Sequence, residues 1–166
     1  MSQENVEVVR QFYPGPIDVA AILASPDALG AVRAAFEPLV DPDFETVHDP
    51  RYQMMLGESG TDRPPESPRS ISYGIDGFVT TFREWLSAWE SWVVTPVGFI
   101  EADEDRVLAV LEIKARSKTH GMETTIKSGD VLTFRDGKLA RLELFLQRAE
   151  AFEAVGLSEQ DIHADS

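Results

Sequence analysis

The chain has 166 residues, 43% hydrophobic and 9% aromatic, which suits the core of one compact domain and excludes disorder over most of its length. Lys and Arg total 15 against 29 Asp and Glu; the resulting charge of −14 repels phosphate backbones and argues against a nucleic-acid partner. There is no cysteine, so disulfides, thiolate nucleophiles and Cys-based metal sites are excluded.

The opening residues MSQENVEVVRQFY carry neither a basic leader nor an unbroken apolar run. Neither a signal peptide nor a membrane span is expected, and a cytoplasmic protein with no membrane partner is the reading. Ser2 can cap a helix with Val6, Val9, Phe12 and Tyr13 on one face, ended by Pro14-Gly15-Pro16. Residues 17–24 and 27–40 read as two further helices split at Ser25-Pro26-Asp27, the second with a stripe of Leu29, Val32 and Phe36 and a stop at Asp41-Pro42.

Phe44 to His48 is a short strand closed by Asp49-Pro50. Residues 52–72, rich in Gly, Pro, Ser and charge, form a long loop that is either a lid or disordered. Asp76 or Gly77 then opens an amphipathic helix to Trp89, with Phe78, Phe82, Trp85, Leu86 and Trp89 at three- and four-residue spacing. Beyond it the chain is strand-rich. A strand at 92–101 turns at Asp103-Glu104-Asp105, and in the next Val107, Ala109, Leu111, Ile113 and Ala115 share a face, with Glu112, Lys114, Arg116 and Lys118 on the other. Strands at 122–135 and 138–147 are joined through Asp136-Gly137, a strong hairpin signal. A short helix from Arg148 to Val155 ends at Gly156. The division expected is one domain over 1–156, with an insertion at about 52–72, and a flexible tail at 157–166.

Helices followed by an antiparallel meander imply an α+β fold in which a curved sheet wraps around N-terminal helices as a cone with an open mouth. On the strand 122–134, Ile126, Asp130, Leu132 and Phe134 share the inward face, so Asp130 is a candidate for the cavity wall. A two-residue Asp136-Gly137 turn would pair Arg135 with Lys138 and so set Asp130 opposite Glu143, Arg141 opposite Leu132 and Phe145 opposite Ser128, with Asp130, Glu143 and Arg141 inside. A bulged turn would shift this register by one residue and turn Arg141 and Glu143 out. Desolvation would raise the proton affinity of Asp130 and make it an acid or base; the alternative is a structural Asp paired with Arg141 or backbone.

SQENVEVVRQFY, LVDPDFETVHDP, GFVTTFREWLSAWE, FIEADEDRVLAVLEIKARSKTHG and LTFRDGKLARLELFLQRAEAFEAVGLSE, in this order, resemble the SnoaL-like group of the nuclear transport factor 2-like superfamily. The resemblance implies the cone fold, an apolar interior and a homodimer through the outer face of the sheet. It also implies an acid/base aspartate in a pattern of Asp, two apolar residues, a short turn and Gly-Lys, here Asp130-Val131-Leu132 and Gly137-Lys138. The chain departs from that pattern after Lys138, where Arg141-Leu142-Glu143 stand in place of an acidic-His-Trp stretch. The superfamily spans cyclases, isomerases, hydrolases and non-catalytic modules, so the fold does not name a reaction.

The function expected is therefore binding of a small, mostly apolar organic ligand. Asp130 and His48 are the candidate catalytic residues, with Asp49 to orient His48. Tyr13, Trp85, Trp89, Arg141, Glu143 and Phe145 are the candidate ligand contacts. The alternatives are a non-catalytic binding or dimerisation module of the same fold, and for His48 an edge histidine beside an Asp-Pro turn. One histidine without a second spaced ligand makes no metal site. No Gly-rich phosphate loop, nucleophile elbow or dinucleotide fingerprint is present, and no cofactor is expected.

Overall fold

A computed structural model describes residues 2–49 and 70–158. The elements run α1 (Ser2–Phe12), β1 (Ile17–Asp18), α2 (Val19–Ala24), α3 (Ala28–Phe36), a 3-10 turn (Glu37–Leu39), β2 (Val40–His48) and β3 (Ser70–Tyr73). They continue as α4 (Gly74–Leu86), β4 (Trp89–Glu101), β5 (Arg106–Ser117), β6 (Glu123–Arg135), β7 (Lys138–Phe145) and α5 (Arg148–Ala154). Most of the loop expected at 52–72 and most of the tail expected at 157–166 lie outside the described residues.

Seven strands form one sheet in the order β1-β4-β5-β6-β7-β2-β3. All neighbours are antiparallel except β2 and β7, because β2 precedes the meander and returns beside its last strand in the same direction. The sheet is curved and unclosed, and the N-terminal helices fill its concave side, as the α+β expectation required. Val9, Phe12, Leu23, Val32, Phe82 and Leu86 pack there against Leu111, Leu132, Leu139 and Leu142. The terminal helix does not share that face. α5 covers the convex side, where Phe152 and Ala151 pack on Leu108, Val110, Val131 and Phe145. Gly129 permits this approach, since a Cβ there would sit 2.8 Å from that of Ala151.

Several boundaries differ from those expected. Asp41-Pro42 does not end a helix but lies within β2, where the pairing with β7 is irregular between Val40 and Glu45. Residues 17 and 18 pair with Val94 and Val93 instead of opening α2; Asp18 accepts from the amides of both Ala21 and Trp92. The helix read to Trp89 stops at Leu86, and Trp89 begins β4.

Candidate functional site

The Asp136-Gly137 turn has two residues with positive φ, 53° and 80°, the left-handed pair that a tight hairpin of this twist needs. Arg135 accordingly faces Lys138 and Phe134 faces Leu139. The register then slips. Ala140 is an extra residue in β7, and beyond it Thr133 faces Arg141, Leu132 faces Leu142, Val131 faces Glu143 and Asp130 faces Leu144. The turn is the one expected, but the bulge undoes the regular pairing that would have brought Arg141 and Glu143 inside. Leu142 and Leu144 take the concave side instead.

Three expected ligand contacts, Arg141, Glu143 and Phe145, move as a result, and Trp89 moves because its helix stops at Leu86. Arg141 is turned outward beside Glu45, an ion pair at 3.4 Å without an aligned hydrogen bond. Glu143 stands outward between Val131 and Val47. Phe145 belongs to the convex cluster under α5. Trp89, no longer on the helix, meets Trp92 edge-on at 5.2 Å and does not line the cavity. The interior position that the aromatic helix was expected to supply through Trp89 is filled from β4 by Trp92, which is 1% exposed. Continuing the inward alternation of β4 through Trp92 and Val94 would have identified both.

Asp130 is inward and buried, as the strand's alternation requires. It lies on the wall of a cavity of about 460 Å³ between the sheet and α1–α4. Leu111, Leu132, Leu144, Phe44, Phe78 and Trp92 are among its other walls, and Asp130 and Tyr13 are the titratable side chains there among the described residues. Tyr13, just beyond α1, donates from its hydroxyl to Asp130 Oδ2 at 2.5 Å. Burial pushes the Asp130 carboxyl up to about 7, against the Tyr13 hydrogen bond, which favours the charged form. A carboxyl in that range exchanges a proton at neutral pH with little free-energy cost in either direction.

His48 is also buried and inward, but it is not a wall of the cavity. Its Nε2 lies 2.6 Å from Ser72 Oγ, and its ring meets Trp85 edge-on at 4.6 Å. Trp85 is thus a packing residue over His48, not a cavity wall. Desolvation lowers the His48 pKa to about 4, so the imidazole is neutral. Asp49 does not orient it: alternation turns Asp49 to the other face, where its Oδ2 accepts from the Leu146 amide at 2.9 Å. Val47 faces Glu143, so the next residue, His48, falls in the row of Leu144, which faces Asp130. Two strand spacings, roughly 10 Å, therefore separate the His48 and Asp130 backbones.

Among the described residues no group of three or more His, Asp or Glu side chains is placed to hold a metal ion. Nor, among them, is any helix long and apolar enough to cross a membrane.

Residues 20–142 match the family profile of the SnoaL-like domain. The chain belongs to this family. Solved structures agree on the fold. A protein assigned as a SnoaL-like polyketide cyclase from Jannaschia sp. CCS1 is 12% identical, with 87% of this chain and 85% of that one covered at a TM-score of 0.58. TerC, co-crystallized with polyporic acid, is 20% identical over 92% and 97%, at 0.57. A protein of ketosteroid isomerase-like fold from Catenulispora acidiphila DSM 44928, in complex with trimethylamine, is 12% identical over 91% and 93%, at 0.56. At such identities the similarity is one of fold. A search of curated proteins gives no significant match. Within this SnoaL-like chain, Asp130 falls inside the matched region, whereas its partner Tyr13 lies before it.

Proposed function

We propose that this SnoaL-like protein binds a small, mostly apolar organic molecule in its concave cavity and acts on it by acid–base chemistry at Asp130. The observation that carries the reading is one carboxyl, held by one hydroxyl, on a wall otherwise dominated by aliphatic and aromatic side chains. Such walls favour the body of an apolar ligand, while the carboxyl meets its single polar or acidic point. With its proton affinity near neutrality, Asp130 can take a proton alpha to a carbonyl and return it elsewhere, as a cyclase or isomerase requires. His48 has no proton-transfer role in this reading, because it is buried and is not among the walls of the cavity.

The test is a search by native mass spectrometry for a co-purifying small molecule, followed by turnover assays on the class it reveals. Asp130→Asn should keep ligand affinity within a few-fold and lower turnover by about 10²–10⁴-fold. Unchanged turnover in that variant would overturn the catalytic reading. Binding without any turnover in the unaltered protein would favour the non-catalytic alternative.

The same proposal includes a cytoplasmic location, in keeping with the absence of cysteine. It also includes a homodimer through the outer face of β4–β6 beyond α5, where Lys114 and Arg116 are exposed. Sedimentation equilibrium decides the latter; a monomer at micromolar concentration would remove it.

A further inference from the structure

A carboxylate on an apolar wall can rotate, and either oxygen can meet a ligand, unless something holds one of them. Here Oδ2 is held. The Tyr13 hydroxyl reaches it at 2.5 Å, from a residue 117 positions away in sequence. Oδ1 accepts no hydrogen bond from any described group. Asp130 as a residue is 7% exposed and lies on the cavity wall.

Tyr13 is itself fixed from three sides. Its amide continues the helical pattern to the Val9 carbonyl at 3.1 Å. Its ring lies against Phe99 with centroids 6.2 Å apart. Pro14-Gly15-Pro16 then turns the chain away, because proline can neither donate nor continue the helix. A phenol carried on such a support loses little freedom when it forms the bond, and can therefore hold its partner in one rotamer.

We propose that Tyr13 is the positioning residue of this site, fixing Oδ2 of Asp130 through its hydroxyl and leaving Oδ1 to meet the bound molecule. The proposal rests on reading Asp130 as the acid or base, and it adds which oxygen acts and what prepares it. The surroundings allow no competing anchor. The neighbours of Asp130 across the sheet are Ala109 and Leu144. On α3 and α4, Arg33 pairs with Asp76 and Arg83 donates to the Leu23 carbonyl. On α1, Glu7 and Arg10 pair with each other at the surface. Tyr13 is thus the one titratable side chain facing Asp130 among the described residues.

The hydrogen bond stabilises the carboxylate over the acid, so its removal raises the proton affinity of Asp130. The experiment follows the side-chain carboxyl resonances of ¹³C-labelled aspartate in the full-length protein, with the Asp130 signal identified by its loss in Asp130→Asn. Tyr13→Phe should move the Asp130 midpoint upward by about 1–2 pH units, the size set by a hydrogen bond to a charged group. Incorporation of 3-fluorotyrosine, a stronger donor, should move it downward. A midpoint that stays in place or falls in Tyr13→Phe would overturn the proposal; should that variant fail to fold, an unmoved midpoint with fluorotyrosine overturns it instead. No ligand is needed, so the result stands apart from the turnover assay. An Asp130→Asn variant with full turnover removes the catalytic reading while leaving the titration intact, and the reverse outcome removes Tyr13 alone.

Discussion

Arg141 stands opposite Thr133 on the convex side of the sheet, with its guanidinium 3.4 Å from Glu45. One extra residue, Ala140, puts it there. Without that bulge the arginine would face inward opposite Leu132, two residues from Asp130, and pull its proton affinity down. The bulge therefore keeps a cation out of the cavity and lets burial dominate at Asp130. Arg141→Gln should leave the Asp130 midpoint unmoved and cost about 0–1 kcal/mol in urea unfolding, as for other partly exposed pairs. A rise of the midpoint in that variant would show that Arg141 reaches the site.

Two buried groups, Asp130 and His48, oppose each other in the pH dependence of stability. Asp130 is raised from 3.8 to about 7, so the folded state holds the extra proton and stability falls as pH rises through that window. His48 is lowered from 6.5 to about 4, so the unfolded state holds the extra proton and stability rises with pH between those values. Their slopes oppose between about pH 4 and 6.5, and above that the Asp130 slope continues alone to about 7. Asp130→Asn should therefore give a profile that climbs from pH 4 to 6.5 and then levels, read as urea midpoints at half-unit intervals. An unchanged profile would mean that Asp130 titrates in its ordinary range.

Arg148, the first residue of α5, donates through Nη2 to the Leu111 carbonyl at 2.6 Å and through Nε to the Ser128 carbonyl at 3.5 Å. Leu111 faces Pro96 across the sheet, and proline has no N–H to offer its neighbour. The guanidinium ties the terminal helix to the strands that carry Asp130. Arg148→Met keeps much of the side-chain volume and removes the donors, at a cost of about 1–3 kcal/mol in chemical denaturation. A loss below a few tenths would indicate that water replaces it without penalty.

Gly129, next to Asp130, lies directly under Ala151 of α5. A Cβ there would meet Ala151 at 2.8 Å and the Ala109 carbonyl at 3.4 Å. Gly129→Ala should cost about 1–3 kcal/mol by overpacking, and Ala151→Gly in the same chain should restore part of it. Strict additivity of the two changes, measured as a double-mutant cycle, would refute the contact.

The strand alternation that turns Asp130 inward, the Asp136-Gly137 turn and the helices-then-meander order are legible in the chain because each rests on local chemistry. Side-chain period, left-handed φ and proline stops act within a few residues. The same local signals placed Tyr13 at the end of its helix. They could not show that its hydroxyl meets Asp130, since 117 residues of chain must fold before the two approach. Nor could they show the bulge at Ala140. An alanine there satisfies regular and bulged pairing alike, and the choice falls to the burial it permits: Leu142 and Leu144 inward, Arg141 and Glu143 outward. The residues of the strand by themselves determined that a carboxyl faces the interior. The tertiary structure decided its company, one tyrosine and no arginine, because only the assembled core sets a lower free energy on leucine than on charge at that wall.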